Sequence, residues 1–450
     1  MRTVSKTVIG VDFGTQSARA VLVNAENGEI IYSCRKEYPY NSTPVPAIDC
    51  AENLPCATDY EMTLYELLRN VIPEEYRKTV AGICVDATSL TMVLLAEDGR
   101  ALSELDGWSE AAHARVKLWK YHRAQEKADE ALNLARNLQE PFLGRTGGSI
   151  SCEWMLPKLL EVRDEAPEIY SKIDLAMDLC EFLTFRLTGQ LVRSIGSLSY
   201  KCLWAEDLSF PERTFLNGLR AGFYEEYCHF LRGDVRKPGE CAGMLRSELT
   251  KRWGLPEQIP VATGMLDGHT SLATMGAFEP GDAALIVGTS NVCTVQDRKL
   301  QELKDVCGVA QDGMVTGSCG IDTGQSSTGN MLGWFVEHMA GWQIHREAEE
   351  RKISPHQVLA ERIQKPWENK VIAVDWWSGS RNAPCDLTLR GSMSGLEMDT
   401  KTEDIYLALL QAIACGTGTI LESLSGQQHP PLVLCAEYWQ RVVLQRKILF

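Results

Sequence analysis

The chain has 450 residues, of which 44% are hydrophobic and 23% are charged. At about 150 residues per domain this length predicts two or three globular domains, and the composition excludes fibrous, disordered and small disulfide-stabilised proteins. The 45 basic and 60 acidic side chains give a formal net charge of −15. Such a surface repels phosphate backbones, so we expect no nucleic-acid partner.

The targeting and redox signals predict a cytoplasmic protein. No apolar run reaches the ~18 residues that a membrane-spanning helix needs, and the N-terminus lacks the apolar core of a signal peptide. The 15 cysteines form no Cys-x-x-Cys pair, and no pair of histidines has the spacing of a zinc site. We therefore expect reduced, buried cysteines, no metal held by Cys or His, and no membrane partner.

Strand and helix patterns alternate in the N-terminal half. The dipeptide Asn27-Gly28 is a strong hairpin signal between two strands. The stretch from Ser109 to Gln139 has no Pro or Gly and is rich in helix formers, so it predicts a long or lightly broken helix with Ser109 as its N-cap. The other predicted elements are strands at Val8–Val11, Arg19–Val23, Glu29–Tyr32 and Val80–Val85 and helices at Glu61–Ile72, Glu153–Glu161 and Asp178–Leu187.

The second half repeats part of this pattern. Strand-like residues 282–287 lead to Gly288-Thr289-Ser290-Asn291 and a returning strand at 292–296, as the first strand leads to Gly14-Thr15-Gln16-Ser17. Internal duplication of an α/β unit would explain this similarity between the two segments, and coincidence explains a four-residue match equally well. A helix over Thr402–Leu424, with Thr402 as its cap, closes this half.

Two short loops are candidate phosphate-binding turns. The sequence has no Walker A motif and no Gly-x-Gly-x-x-Gly, but backbone N–H groups of tight turns after strands also bind phosphates. In Asp12-Phe13-Gly14-Thr15 the aspartate can hold Mg²⁺ through water, while the glycine admits an anion. This triplet is not the protein-kinase Asp-Phe-Gly, because that family's partner motifs are absent. For this turn and for Gly288-Thr289-Ser290, a plain hairpin turn is the competing interpretation.

Asp267 is the best candidate for a general base. It lies in Gly264-Met265-Leu266-Asp267-Gly268-His269, where the pattern predicts a strand–helix turn that exposes the side chain. A carboxylate aimed at a hydroxyl can accept its proton during phosphoryl transfer. The competing interpretation is an N-cap for the following helix.

Seven segments between Val11 and Arg381, among them Lys117-Leu118-Trp119, Glu153-Trp154-Met155 and Asp375-Trp376-Trp377, occur in an order that resembles one known family, the FGGY carbohydrate kinases, and most closely its bacterial L-ribulokinases. The match runs from Val8 to about Ser425, and the segments with Lys-Leu-Trp, Glu-Trp-Met and Asp-Trp-Trp are the most specific. The matching segments are Val11–Ser17, Val85–Ser89, Val116–Lys120, Gly147–Met155, Asp267–His269, Gly324–Ser326 and Asp375–Arg381.

The resemblance implies a fold and an activity. The fold would be α/β, with two actin-like (ribonuclease-H-like) lobes and a central cleft, divided into residues 1–272 and 273–450. The activity would be MgATP-dependent phosphorylation of L-ribulose, a ketopentose, on its terminal hydroxyl, which gives L-ribulose 5-phosphate in arabinose catabolism. A homodimer is compatible with the family.

The resemblance also implies roles for individual residues. Asp12 matches the metal-associated acid, and Asp267 matches the catalytic base, which also contacts the sugar. Lys201 and Asp322 match sugar-binding positions, although a surface lysine and a loop aspartate are their plain interpretations. The remaining expected site residues are Ser89 and Trp119 on the sugar side, with core packing as the alternative for Trp119, and Gly14, Thr15, Gln16, Gly288, Thr289 and Ser290 at the ATP phosphates.

The sequence departs from the family pattern in three places. Asp322 stands where Glu is usual, which shortens the side chain by about 1.5 Å, one C–C bond, and Leu90 stands where Cys is usual beside Ser89. After the strand-like Leu432–Ala436, the bulky Glu437–Arg441 replaces an expected glycine turn that would hold the adenosine. We expect a frameshift or premature stop there.

Two alternatives to an active ribulokinase therefore remain. One is a catalytically impaired sugar-binding protein that lacks the adenosine pocket. The other is a different FGGY sugar kinase that acts on xylulose or glycerol. An actin-like ATPase of another kind leaves the sugar-side segments unexplained.

Overall fold

A computed structural model describes residues 6–38, 54–364, 368–381, 386, 388–424 and 432–435. The chain divides into two compact units. The N-terminal unit comprises Met1–Arg145, Ser149–Thr270 and Ala310–Cys319, and the C-terminal unit comprises Thr146–Gly148, Ser271–Val309 and Gly320–Phe450.

The N-terminal unit contains most of the secondary structure. Its strands are β1 (Thr7–Phe13), β2 (Ser17–Asn24), β3 (Ile30–Glu37), β4 (Val80–Ala87), β5 (Met92–Leu95), β6 (Leu175–Asp178), β7 (Val192–Ser194), β8 (Asp234–Arg236), β9 (Cys241–Met244), β10 (Pro260–Ala262) and β11 (Met265–Leu266). Its helices are α1 (Ala57–Val71), α2 (Gln125–Leu138), α3 (Met155–Glu165), α4 (Pro167–Tyr170), α5 (Leu179–Thr188), α6 (Ile195–Lys201), α7 (Arg213–Leu219), α8 (Phe223–Phe230), α9 (Ser247–Trp253) and α10 (Asp267–Met275), which continues past residue 270. Short 3₁₀ helices lie at Glu74–Thr79, Leu102–Glu104, Ala112–Ala114 and Pro141–Gly144.

The main sheet of this unit has seven strands in the order β3-β2-β1-β4-β10-β9, with β11 also paired to β4. Strands β1, β4 and β11 are parallel, and the register places Asp12 opposite Asp86 and Asp86 opposite Met265. Because parallel strands end at the same edge of a sheet, the acidic residues that follow them lie together there. This edge positions the site.

Two apolar clusters stabilise the N-terminal unit. One joins the main sheet to α1 and α5 through residues such as Phe13, Leu64 and Leu183, all fully buried. The other packs α2, α3, α7 and α8 against one another, with Leu159 and Phe215 at its centre. Burial of such side chains contributes about 1.5–3 kcal/mol each.

Most elements predicted for this half are confirmed. The chain opens with the three expected strands, and Gly28 adopts φ 74° in the hairpin turn between β2 and β3. Strand β4 and helices α1, α3 and α5 lie where the apolar periodicity predicts them. Their boundaries differ from the predicted ones by a few residues.

The long helix predicted from Ser109 to Gln139 is wrong. The helix covers only Gln125–Leu138, and Ala124 is its N-cap rather than Ser109. The preceding residues are drawn into long-range pairing, because the N–H and C=O of Lys117 both bond to Met92 on β5, at 3.1 and 2.9 Å. A residue paired in this way cannot join a helical hydrogen-bond ladder. Trp119 consequently lies in a turn and not on a helix.

The C-terminal unit repeats the pairing of three strands of the first. It contains β12 (Ala283–Val287), β13 (Asn291–Asp297), β14 (Gly308–Gln311, whose last two residues belong to the N-terminal unit), β15 (Cys319–Gln325, whose first residue also does), α11 (Gly329–Met339), α12 (Gly341–Arg351), α13 (Pro355–Arg362), β16 (Ile372–Ala373), β17 (Met393–Ser394), α14 (Thr402–Leu424) and β18 (Leu432–Cys435). Its sheet has the order β14-β15-β13-β12-β18, with β12 antiparallel to β13 and parallel to β18. Strands β1, β2 and β4 pair in the same way, so the strand–turn–strand echo in the sequence corresponds to a repeated structural unit.

Helix α14 is present where predicted, but its cap differs. It begins at Thr402, and the N–H of Lys401 donates to Asp404 at 2.9 Å, so Thr402 is the first helical residue and not the cap. The sequence predicts no membrane-spanning helix, but by length and composition alone α14 could cross a membrane. This is weak evidence, because the core helix of a soluble protein passes the same test and α14 packs against α11 and α13.

Candidate active site

Asp267 lies at the junction of β11 and α10, the sheet edge formed by β1, β4 and β11. Its Oδ1 accepts the N–H of Gly268 at 2.7 Å, and its carboxylate also accepts the N–H of Ser89. The predicted strand–helix turn is therefore present, and Asp267 is the first residue of α10, with its carboxylate bonded to the adjacent N–H of Gly268. A Cβ on residue 264 would lie 2.6 Å from the Cys180 carbonyl oxygen, so only glycine allows this approach to α5.

The electrostatics of Asp267 suit a general base. Its pKa is raised to about 7, mainly by burial and additionally by the charges of Asp12 and Asp178, against the N–H groups of Gly268 and Ser89, which lower it. A base whose pKa lies near neutral pH is unprotonated often enough to act and is still basic enough to remove a proton. The side chain remains partly exposed, so a substrate hydroxyl can reach it.

Asp86, at the end of β4, is a site residue that the sequence interpretation missed. Its carboxyl group is hydrogen-bonded to Asp12 and to Thr270, and its pKa is raised well above the usual range by burial and by the charges of Asp12 and Asp267. Two carboxyl groups in contact share a proton. The available signal was the buried strand 80–85 ending in an acidic residue, which by itself does not reveal that β4 lies between β1 and β11.

The carboxylate oxygens at and around Asp12 fit a magnesium ion whose other ligands would be mainly water and phosphate oxygens. Asp12 is about one-third exposed, and Arg19 lies 3.6 Å from its carboxylate. The Oδ1 atom of Asp86 is buried and has no hydrogen-bond partner among the described residues. Within the described ranges no three His, Cys, Asp or Glu side chains form a metal cage, and Mg²⁺ commonly binds one or two carboxylates with several waters.

The first Gly-Thr turn joins β1 to β2 beside these carboxylates. The N–H of Gly14 donates to Ser17 at 3.2 Å and the hydroxyl of Tyr38 donates to the Gly14 carbonyl at 2.9 Å, while Gln16 accepts the N–H of Tyr38. The indole N–H of Trp119 donates to the Thr15 hydroxyl at 3.1 Å. Trp119 thus supports this turn, a contact that neither the sugar-stacking nor the core-packing interpretation included.

Ser89 contacts Asp267, and Lys201 lies on a helix that packs against β11. Ser89 is in the turn after β4, where its N–H reaches the Asp267 carboxylate. Lys201 is the last residue of α6, and its side chain is buried, with 9% exposed, rather than extended from the surface. Helix α6 packs against β11, and the Tyr200 ring meets His269 edge-on with 4.7 Å between ring centroids.

The second Gly-Thr turn, in the C-terminal unit, is enclosed by the start of α11. The carbonyl of Thr289 accepts the N–H groups of Thr328 and Asn330, and the Gly288 carbonyl accepts the N–H of Gly329 at 3.0 Å. The N–H of Gly288 donates to the Ser290 carbonyl at 3.1 Å. A Cβ on residue 329 would lie 2.4 Å from the Gly288 carbonyl oxygen, so this helix start requires glycine.

Asp322 lies on β15 in the same unit. Its side chain is 7% exposed, so it is not the solvated loop aspartate of the plain interpretation. Its charge contributes to the raised pKa of the neighbouring Cys293 thiol, after burial, which is the larger cause.

The predicted site residues thus divide between the two units. The N-terminal unit contains Asp12, Gly14, Thr15, Gln16, Ser89, Trp119, Lys201 and Asp267, and the C-terminal unit contains Gly288, Thr289, Ser290 and Asp322. Their individual roles stay predictions. Residues Glu437–Arg441, the expected position of the adenosine turn, lie outside the described residues.

Family models identify the chain. The FGGY family of carbohydrate kinases matches twice, through its N-terminal domain at residues 7–274 and its C-terminal domain at residues 283–436. The chain belongs to the FGGY carbohydrate kinases. It is a sugar kinase, a phosphotransferase with two actin-like lobes, as the sequence resemblance implied.

Two curated relatives of the chain are both named ribulokinase. This FGGY kinase is 33% identical over 433 residues to a ribulokinase from Halalkalibacterium halodurans, which covers 94% of this chain and 77% of that protein. It is 36% identical over 441 residues to a ribulokinase from Mycolicibacterium smegmatis, again with 94% and 77% covered. Among solved structures, a ligand-bound xylulose kinase from Lactobacillus acidophilus has a TM-score of 0.75 at 18% identity, with 97% of this chain and 82% of that chain covered. A glycerol kinase from Plasmodium falciparum with ADP has a TM-score of 0.74 at 16% identity, with 96% and 82% covered.

Proposed function

We propose that this FGGY kinase transfers the γ-phosphoryl group of MgATP to the terminal hydroxyl of L-ribulose, and that the product L-ribulose 5-phosphate enters arabinose catabolism. The observation that carries the proposal is Asp267, a partly exposed carboxylate with a pKa of about 7 at the shared edge of three parallel strands. The substrate class is supported by relatives named ribulokinase at 33–36% identity over most of the chain.

The reaction balances with Asp267 as the base. The carboxylate accepts the hydroxyl proton while the sugar oxygen bonds to the γ-phosphorus, and the bond from that phosphorus to the β–γ bridging oxygen breaks to release ADP. The N–H groups of Ser89 and Gly268 fix the carboxylate, so little of its orientation has to be gained during the reaction. After transfer, the protonated Asp267 returns its proton to solvent.

Both Gly-Thr turns are proposed to contact the ATP phosphates, Gly14-Thr15-Gln16 from one unit and Gly288-Thr289-Ser290 from the other. Asp12 would hold Mg²⁺ through water, and the ion would neutralise charge on the phosphates. Lys201 would donate to sugar oxygens and Asp322 would accept from sugar hydroxyls, so the ketopentose would be bound by directional contacts on several sides.

A substrate panel tests this function. ADP release is measured with L-ribulose, D-ribulose, L- and D-xylulose, glycerol and no sugar, each with and without Mg²⁺. The proposal expects the highest kcat/KM with L-ribulose and no turnover without Mg²⁺. Turnover confined to xylulose or glycerol would assign another FGGY activity, and calorimetric binding of L-ribulose without MgATP binding or turnover would identify a catalytically impaired sugar-binding protein.

A further inference from the structure

The turn that carries Ser89 contains a strained residue. Leu90 has φ 43°, in the left-handed region that residues with a side chain rarely adopt, and it is buried, with 1% exposed. Such a conformation persists only where the surrounding groups hold it in place.

Two buried ionisable side chains hold this turn by its main chain. The carboxylate of Asp178 accepts the N–H groups of Leu90 and Thr91, both at 3.1 Å. The ammonium of Lys158 donates to the Leu90 carbonyl at 3.0 Å. The N–H and C=O of the strained residue are therefore each bonded to a side chain from a different element, β6 and α3.

Lys158 also hydrogen-bonds to a second segment, residues 117–118, which immediately precedes Trp119. Its ammonium donates to the carbonyls of Leu118 and Lys117, at 2.9 and 3.3 Å. The side chain is fully buried, which lowers its pKa to about 7, and its three N–H donors meet three carbonyl oxygens. An apolar residue would fill this position in α3 without the desolvation of a cation, so packing alone does not explain a lysine here.

Both segments end on residues of the candidate active site. The Ser89 N–H, one residue before Leu90, donates to the Asp267 carboxylate. Trp119, one residue after Leu118, donates its indole N–H to Thr15 in the first phosphate turn. A shift of either segment would change the geometry around Asp267 or Thr15.

We propose that Lys158 is a positioning residue for the sugar kinase reaction: its buried ammonium ties the Ser89 turn to the Trp119 segment and thereby orients Asp267 toward the sugar hydroxyl. The inference rests on the proposed role of Asp267. It assigns to Lys158 no contact with sugar or nucleotide.

The test is the kinetic effect of Lys158→Met in the full-length chain. Methionine keeps the length and apolar stem but removes all three donors. We expect kcat/KM for L-ribulose to fall by about 10²-fold, since displacement of a reacting group by about 1 Å has an effect of this size. Asp178→Asn, which keeps the shape of the side chain and is the variant to measure if Lys158→Met does not fold, should lower kcat/KM by about tenfold.

Arg193→Met is the matched control. Arg193 is also fully buried and donates to three carbonyls, those of Ala176, Phe230 and Arg232, and it pairs with Glu181. Its loss should lower Tm at least as much as the loss of Lys158, with kcat/KM of the folded fraction within twofold of wild type.

The outcomes separate the two proposals. Folded Lys158→Met or Asp178→Asn protein with wild-type kcat/KM would overturn the positioning role. If the wild-type chain turns over no sugar, the proposed function fails, and amide hydrogen exchange then decides the inference. In that case we expect Lys158→Met to speed exchange at residues 89–91 and 117–119, which Arg193→Met should leave unchanged, and equal exchange in both variants would overturn it.

Discussion

The two Gly-Thr turns have the same backbone topology but different surroundings. The first turn, between β1 and β2, lies beside Asp12 and Asp86, and a side-chain bond from Trp119 supports it. The second turn, between β12 and β13, is closed by main-chain bonds from residues 328–330 at the start of α11. The repeated unit therefore supplies acidic side chains in one copy and an enclosed backbone turn in the other.

This difference favours different roles for the two copies of the duplicated fold. In the N-terminal unit, the parallel register of β1, β4 and β11 concentrates carboxyl groups, and burial together with their mutual charges raises the pKa of Asp267 and of Asp86. In the C-terminal unit, the corresponding strands frame a turn whose neighbours at the start of α11 are Thr328, Gly329 and Asn330. Changes to the carboxyl groups of the first region should act on proton transfer, and changes to the second turn should act on phosphate binding.

The largest expected effect follows from Asp267→Asn. The amide keeps the size of the side chain but cannot accept the hydroxyl proton, so kcat should fall by about 10²–10⁴-fold, with the KM values changed far less. The coupled assay for ADP release with L-ribulose measures it. Near-normal turnover would show that Asp267 is not the base and would contradict the proposed difference in role between the two units.

Thermal melting distinguishes this loss from unfolding. Burial raises the folded-state pKa of Asp267 to about 7, so its ionised form destabilises the fold, and its contribution to stability is lost as pH rises from about 4 through about 7. Asp267→Asn should therefore raise Tm at pH 8 by roughly 2–4 °C and have little effect below about pH 4. A lower Tm at pH 8 would show that the loss of activity includes damage to the fold.

The pH dependence of the wild-type enzyme gives the next largest effect. Because Asp267 must be unprotonated to act, kcat/KM should fall about tenfold per pH unit below about 7, and should be roughly 100-fold lower at pH 5 than at pH 8. Asp207→Asn is the control. The bonds of Asp207 to Arg145 lower its pKa, which moves it further from neutral pH, so this variant should keep the wild-type profile. A flat profile between pH 5 and 8 would contradict the assignment.

The sequence predicted the elements better than it predicted their spatial relations. Periodicity was sufficient for the opening strands, because each strand and its turn lie within a few residues of one another. The long helix from Ser109 failed because Lys117 pairs with Met92 on β5, a contact that no local pattern contains. Asp86 was missed because its importance depends on strand order. Lys158 resembles an ordinary helical lysine until α3 is packed and its side chain is fully buried.

Gly329→Ala tests the second turn. A methyl group at this position would lie 2.4 Å from the Gly288 carbonyl oxygen, so the start of α11 or the turn has to move. We expect KM for MgATP to rise by about tenfold or more and stability to fall by about 1–3 kcal/mol. Gly333→Ala in the same helix, where nothing lies within 4 Å of the added methyl, should leave KM unchanged and slightly raise stability. An unchanged KM in a folded Gly329→Ala protein would separate this turn from phosphate binding.

The smallest expected effect concerns the support of the first turn by Trp119. Trp119→Phe and Thr15→Ala each remove one partner of the same 3.1 Å hydrogen bond, worth about 1 kcal/mol, so each should raise KM for MgATP by about 2–5-fold. If the bond is the reason for both effects, the double variant should be no worse than the more affected single variant. Trp108→Phe, at a tryptophan that packs on the apolar cluster of α2 and α3, should not change KM. Additive effects of the two substitutions would mean that Trp119 and Thr15 act separately, as a sugar-stacking role for Trp119 requires.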